Sequence, residues 1–79
     1  MKASLMNKSL VVKNEVFERE DIVEIYYGEV TRRKVIKGRI MGFAETSEGD
    51  ILIKVDTSTL YNSRIELLEV KDITKMRHI

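Results

Sequence analysis

The sequence contains no cysteine, no proline and no tryptophan, and its single histidine, His78, stands next to the C-terminus. Without cysteine there is neither a disulfide framework nor a thiolate zinc site. One imidazole beside a chain end is a poor general base, because termini are poorly ordered unless tied down. Serine, threonine and tyrosine occur, but none stands in a glycine-flanked nucleophile turn, and four scattered glycines build no phosphate-cradling loop. No enzyme activity, no metal and no cofactor is expected. Asp21, Glu24 and Asp50 could in principle meet as paired carboxylates, but scattered acids on strand exteriors are normally solvated. Long apolar runs are also missing, and Asn7 and Lys8 fall where a signal peptide needs its apolar centre. A cytoplasmic protein without membrane contact is the expectation. A formal net charge of +1 offers no global attraction to nucleic acid, so any such binding must come from a local patch.

What is present is strand pattern. The chain is 79 residues long and 43% hydrophobic, which allows one domain over residues 1–79 and one core. Residues 1–8 are expected to form a short helix or to remain disordered. Ser9 to Val16 reads as a first strand. Ile22 to Tyr27 follows, with Val23, Ile25 and Tyr27 on one face and Glu24 on the other. Val35 to Ala44 places Ile36, Gly38, Ile40, Gly42 and Ala44 on one face and Val35, Lys37, Arg39, Met41 and Phe43 on the other. Two glycines on one face suggest a sharp bend or a close strand crossing at both. Residues 45–50 read as a hairpin turn, Ile51 to Val55 as a strand with Ile51, Ile53 and Val55 inward, and 57–63 as a surface loop with Leu60 or Tyr61 tucked down. Arg64 to Val70 and Ile73 to Met76 complete the set. Five or six short strands and pivoting glycines predict an all-β, strongly bent small barrel.

The order of these segments resembles known small barrels. Asp21-Ile22-Val23-Glu24-Ile25, then Gly28, then Lys37-Gly38-Arg39-Ile40, looks like the opening hairpin of KOW-type and other SH3-like barrels. The connection is longer here and lacks the central glycine of the KOW pattern. Over Ile22 to Met76 the rhythm of an Ile-x-Tyr-Tyr-like strand, a Lys-Gly-x-Ile strand, an Ile-x-Ile strand and the closing Asp72-Ile73-Thr74-Lys75-Met76 is similar to Sm-like and YolD-like barrels. That resemblance implies an SH3-like or Sm-like fold. It does not carry over an RNA site: Asp50 has no asparagine beside it, and Asn62-Ser63-Arg64 is not followed by glycine.

Charge is segregated along the chain. Residues 15–29 hold six acids against Arg19 alone, a balance of −5, and residues 30–44 hold Arg32, Arg33, Lys34, Lys37 and Arg39 with no acid, a balance of +5. If the two segments pair, Lys37 or Arg39 can face Glu24, and the blocks neutralise each other and fix strand order at ~0.2–1 kcal/mol per pair. The functional reading is a basic hairpin whose tip, Arg32-Arg33-Lys34, lies beyond the acids. With Lys37, Arg39 and Tyr27, and with Lys75 and Arg77 extending it, that hairpin would bind RNA or DNA through phosphate contacts and base stacking. Several strands are apolar on both faces: Ile22 beside Val23, Met41 and Phe43 opposite Ile40, Leu68 and Val70 opposite Leu67. This predicts a homo-oligomer or a protein partner, and gives the alternative function of a protein-interaction module such as small phage or mobile-element adaptors and inhibitors use.

Overall fold

The computed structural model describes residues 2–29 and 31–79, and the β-strand reading holds: among them are eight strands and no α-helix. A three-stranded antiparallel sheet is formed by β1 (Ser4–Met6), β2 (Ser9–Val12) and β3 (Glu15–Phe17). A five-stranded antiparallel sheet follows, from β4 (Ile22–Tyr27), β5 (Lys34–Glu45), β6 (Ile51–Asp56), β7 (Ile65–Glu69) and β8 (Ile73–His78), in the spatial order β7-β6-β5-β4-β8. A single 3-10 turn, Val70–Asp72, joins β7 to β8.

The N-terminal segment corrects two expectations. Residues 4–6 are a strand, not a helix or a disordered arm, because Asn7, at φ 59°, opens a two-residue turn that returns Leu5 opposite Leu10. A helix of so few residues could not outweigh its own nucleation cost. The expected single strand over 9–16 is two strands, broken where Lys13 adopts φ 54° and Val12 folds back against Glu15. Backbone reversal at both turns lets Leu10 and Phe17 enter the interior, and each is at most 1% exposed.

One core joins the two sheets: Leu10 and Phe17 meet Val23, Ile25, Ile40, Ile53, Val55 and Ile73. Alternation places the inward residues of β4 and β6 as expected. In β5 it does not hold throughout. The register against β6 shifts between Ile40 and Gly42, so Met41 is an extra residue and Phe43 returns to the inner face opposite Ile53. A bulge of this kind resets the two-residue period, which is why Phe43 is not on the face its spacing predicts. The two glycines also differ. A Cβ on Gly38 would lie 2.5 Å from the Asp56 carbonyl oxygen and 2.7 Å from a Val55 methyl, whereas one on Gly42 would meet nothing within 4 Å. Gly38 is the close crossing; Gly42 is not.

The loop of residues 57–64 also differs from expectation. Thr57 N–H donates to the Arg64 carbonyl, Ser58 Oγ accepts from Arg64 N–H at 2.8 Å, and Thr59 N–H donates to the Asn62 carbonyl. These bonds consume the polar groups and leave Leu60 and Tyr61 pointing outward, more than nine-tenths exposed. Among the described residues no helix is long and apolar enough to cross a membrane.

Candidate anion-binding face

The outer face of the five-stranded sheet is set by the pairing of β5, β4 and β8. Val23 and Ile25 point to the core, so Ile22, Glu24 and Tyr26 point out. Successive outward rungs are Arg39 beside Ile22, Lys37–Glu24–Arg77, and Val35–Tyr26–Lys75. Four cations therefore flank one carboxylate at these positions.

That carboxylate is not available to solvent. Glu24 is 5% exposed; it accepts hydrogen bonds from the Tyr26 hydroxyl and from Arg77 Nε at 2.8 Å, and Lys37 Nζ lies 3.6 Å away. The Tyr26 hydroxyl first, and then the Arg77 guanidinium, hold the Glu24 carboxyl below its ordinary 4.5 against the opposing effect of burial. The same bond, with burial and the charge of Glu24, raises the Tyr26 hydroxyl above its ordinary 10.0. Glu24 is thus a fixed anion beneath the face, and its ligands are held in place by it. The expected neutralising contact is formed by Lys37. Arg39 instead reaches Glu20 at 3.9 Å.

The remaining sequence candidates separate into two places. Arg32 and Arg33 are exposed at the β4–β5 tip, where Arg32 N–H donates to the Glu29 carbonyl at 2.9 Å, and Lys34 opens β5 opposite Tyr27. Gly28 makes this tip possible: it sits at φ 99°, and a Cβ there would come within 2.6 Å of the Arg32 carbonyl oxygen. Val30, inside the basic block, lies outside the described residues. Tyr27 does not join the face. Its side chain packs partly buried against the core, on the side of the sheet opposite to Lys37 and Arg39. The aromatic that does share their face is Tyr26, with Lys75 Nζ 5.7 Å from its ring centroid. The Glu24-x-Tyr26 spacing, two residues on one strand face, is the signal that would have identified it.

Beside Lys37 and Arg39 lies a groove of ≈ 310 Å³, floored by Ile22 and Gly38 and closed by Asp56, Thr57 and Ser58. Hydrogen bonds from Ser58, with the charge of Arg39 adding to them, hold the Asp56 carboxyl below its ordinary value. The three acids considered for chemistry are not a cluster. Asp21 accepts from Glu18 N–H at 2.8 Å and faces His78 Nε2 at 3.1 Å, Glu24 is occupied as described, and Asp50 closes the β5–β6 turn with Thr46. His78, expected to be loose, is tied down by stacking on Phe17 with ring centroids 4.4 Å apart. Among the described residues no group of three or more His, Cys, Asp or Glu side chains could hold a metal ion.

The chain matches no known protein family, no curated protein and no solved structure. Its chemistry must be read from its own residues.

Proposed function

We propose that this protein is a non-enzymatic nucleic-acid-binding module whose contact surface is the outer face of β5, β4 and β8 together with the β4–β5 tip. The observation that carries this reading is the sinking of Glu24: Lys37 and Arg77 enclose its buried carboxylate, and Arg39 and Lys75 stand on the adjacent outward rungs, so cations outnumber exposed carboxylates on these rungs of the face. Val35 to Arg39 carries the face for about 14 Å at 3.4 Å per residue, and Arg32 and Arg33 continue the basic strip at the tip, whereas Lys34 lies beside Tyr27 on the opposite side of the sheet. Phosphate contacts from flexible lysines and arginines give salt-sensitive binding of low sequence specificity. Tyr26, half-buried beneath Lys75, offers only an edge for stacking, so the electrostatic contribution dominates.

The fold that presents this face is proposed to be an SH3-like barrel. The order β7-β6-β5-β4-β8, with a 3-10 turn between the last two strands in sequence, supports that reading.

The test is a titration of labelled single-stranded RNA and duplex DNA at several salt concentrations. With three to five phosphates engaged, log K should fall against log salt with a slope of about −2 to −4.5. Changing Lys37 and Arg39 together to Ala should weaken binding about tenfold or more, and changing Arg32, Arg33 and Lys34 should reduce the salt slope. Absence of binding at low salt would end this reading.

A second reading, contact with a protein or a second copy, is favoured by a separate observation. On the outer side of β6 and β7, Leu67 is 64% and Ile65 51% exposed, next to the partly buried Leu52. An apolar row on an outer sheet face is typical of an interface. Sedimentation velocity over a range of concentrations, with the native chain and with Leu67→Lys, tests it. A concentration-independent monomer counts against self-association.

A further inference from the structure

Among the described residues both sheets are open, and the backbone polarity of the β8 and β3 edges can be worked out. Ile79 N–H donates to the Ile22 carbonyl at 3.1 Å, which makes that rung of the β4–β8 ladder a hydrogen-bonded one. Antiparallel rungs alternate, so Glu24 with Arg77 is bonded, whereas Ile25 with Met76 and Val23 with His78 are not. The backbone N–H and C=O of Met76 and His78 therefore point away from β4. Similarly, a two-residue turn closes on the bonded pair Val12 and Glu15, which leaves Val11 with Val16 unbonded and turns the Val16 backbone away from β2. Among the described residues neither β8 nor β3 has a strand partner on that second edge.

A groove of ≈ 400 Å³ lies between the β2–β3 hairpin and β8, with Met76 on it and Val16 and His78 at its margins. Its floor is apolar, from Val12, Phe17 and Met76, with Phe17 and Met76 buried. Its rim carries Lys13, Lys75 and Arg77 against the single carboxylate of Glu15. The Phe17–His78 stack holds the edges together at one end, which leaves the groove preformed.

We propose that this groove is a strand-addition site for an extended, acidic segment of a partner protein. Unpaired main-chain donors and acceptors supply the ladder, the apolar floor takes one inward side chain, and the lysines at the rim take the carboxylates. A second copy of β8 is a poor occupant. Antiparallel pairing centred on Met76 would place Lys75 of one chain opposite Arg77 of the other, and like charges directly opposite are destabilising. The groove shares Lys75 and Arg77 with the face proposed for nucleic acid, whereas Lys13 and the backbone of β3 belong to the groove alone.

The probe is a capped eight-residue peptide alternating valine and glutamate, added to the 15N-labelled full chain and followed by amide shifts. Shifts confined to Val16, Met76, His78 and their neighbours are expected. N-methylation of alternate peptide nitrogens, which removes ladder donors and leaves this protein's fold untouched, should abolish them. Lys13→Glu with Lys75→Glu should weaken binding about tenfold, or ~1.4 kcal/mol. No shift at any concentration, shifts at β7 instead, a response insensitive to N-methylation, or β8-edge amides already protected in an oligomer of the chain alone would each overturn the proposal.

Discussion

Glu24 shows how one side chain ties strand order to surface charge. It sits on the outer face of β4, yet Tyr26, Arg77 and Lys37 enclose it, so β4, β5 and β8 share one buried anion. Its carboxyl is held below the ordinary value of 4.5, which means that its contribution is complete above that pH and is lost as pH falls through the lowered value. Tyr26 has the opposite sign. Its hydroxyl is raised above 10.0, so its contribution is complete below that pH and is lost as pH rises through the raised value. Thermal melts across pH should therefore show loss at both extremes, with Glu24→Gln and Tyr26→Phe each flattening both limbs, because each group shifts the other. Glu24→Gln should also lower Tm at neutral pH by roughly 5 °C or more. A flat acid limb in the native chain would refute the assignment. At Gly38 the constraint is steric: Gly38→Ala forces a methyl against the backbone of β6 and should cost ~1–3 kcal/mol in urea unfolding, whereas Gly42→Ala, with open space around it, should cost far less. Alternation alone makes the Glu24–Lys37 pairing legible. The Arg77 bond depends on β8 docking against β4 from more than 50 residues away.

Among the elements, those with unbroken alternation are legible and those interrupted by a conformational reversal are not. β4 and β6 have their expected inward faces because nothing disturbs the two-residue period. The N-terminal hairpins escape prediction because their turns use Asn7 and Lys13, not glycine, at positive φ. Lysine is an uncommon residue there, so Asn14 alone marks the Lys13-Asn14 turn. The Met41 bulge is hidden for a similar reason: an apolar extra residue inside an apolar run leaves no gap in composition. A third reversal gives a test. Glu20 sits at φ 77° in the turn Glu18–Asp21, where its N–H donates to the Ile40 carbonyl. Glu20→Gly should relieve the left-handed strain and stabilise the fold by about 1 kcal/mol. It should also release Arg39 from its 3.9 Å partner and modestly strengthen anion binding. Loss of stability in this variant would show that Glu20 contributes more through its side chain than its backbone costs.

For the whole molecule, the small sheet is part of the core and not an appendage. Leu10 and Phe17 are as deeply buried as any residue of the five-stranded sheet, and a 79-residue chain has little interior to lose. Phe17→Ala should cost about 3–5 kcal/mol, and the fragment 18–79 should lose cooperative melting. A fragment that melts like the full chain would show the five-stranded sheet to be self-sufficient.

The β-class, the inward faces of β4 and β6, the hairpin at 45–50 and the separation of acidic from basic segments were determined by the sequence itself, because each rests on neighbours within a few residues. Only the tertiary structure decided that Lys75 and Arg77 join Glu24 and Tyr26 on one face, that Leu60 and Tyr61 stand out in solvent, that Glu24 sinks among its ligands, and that two sheet edges face one another across a groove. These depend on register between distant strands, and a one-residue shift in register exchanges the two faces of a strand without altering its pattern.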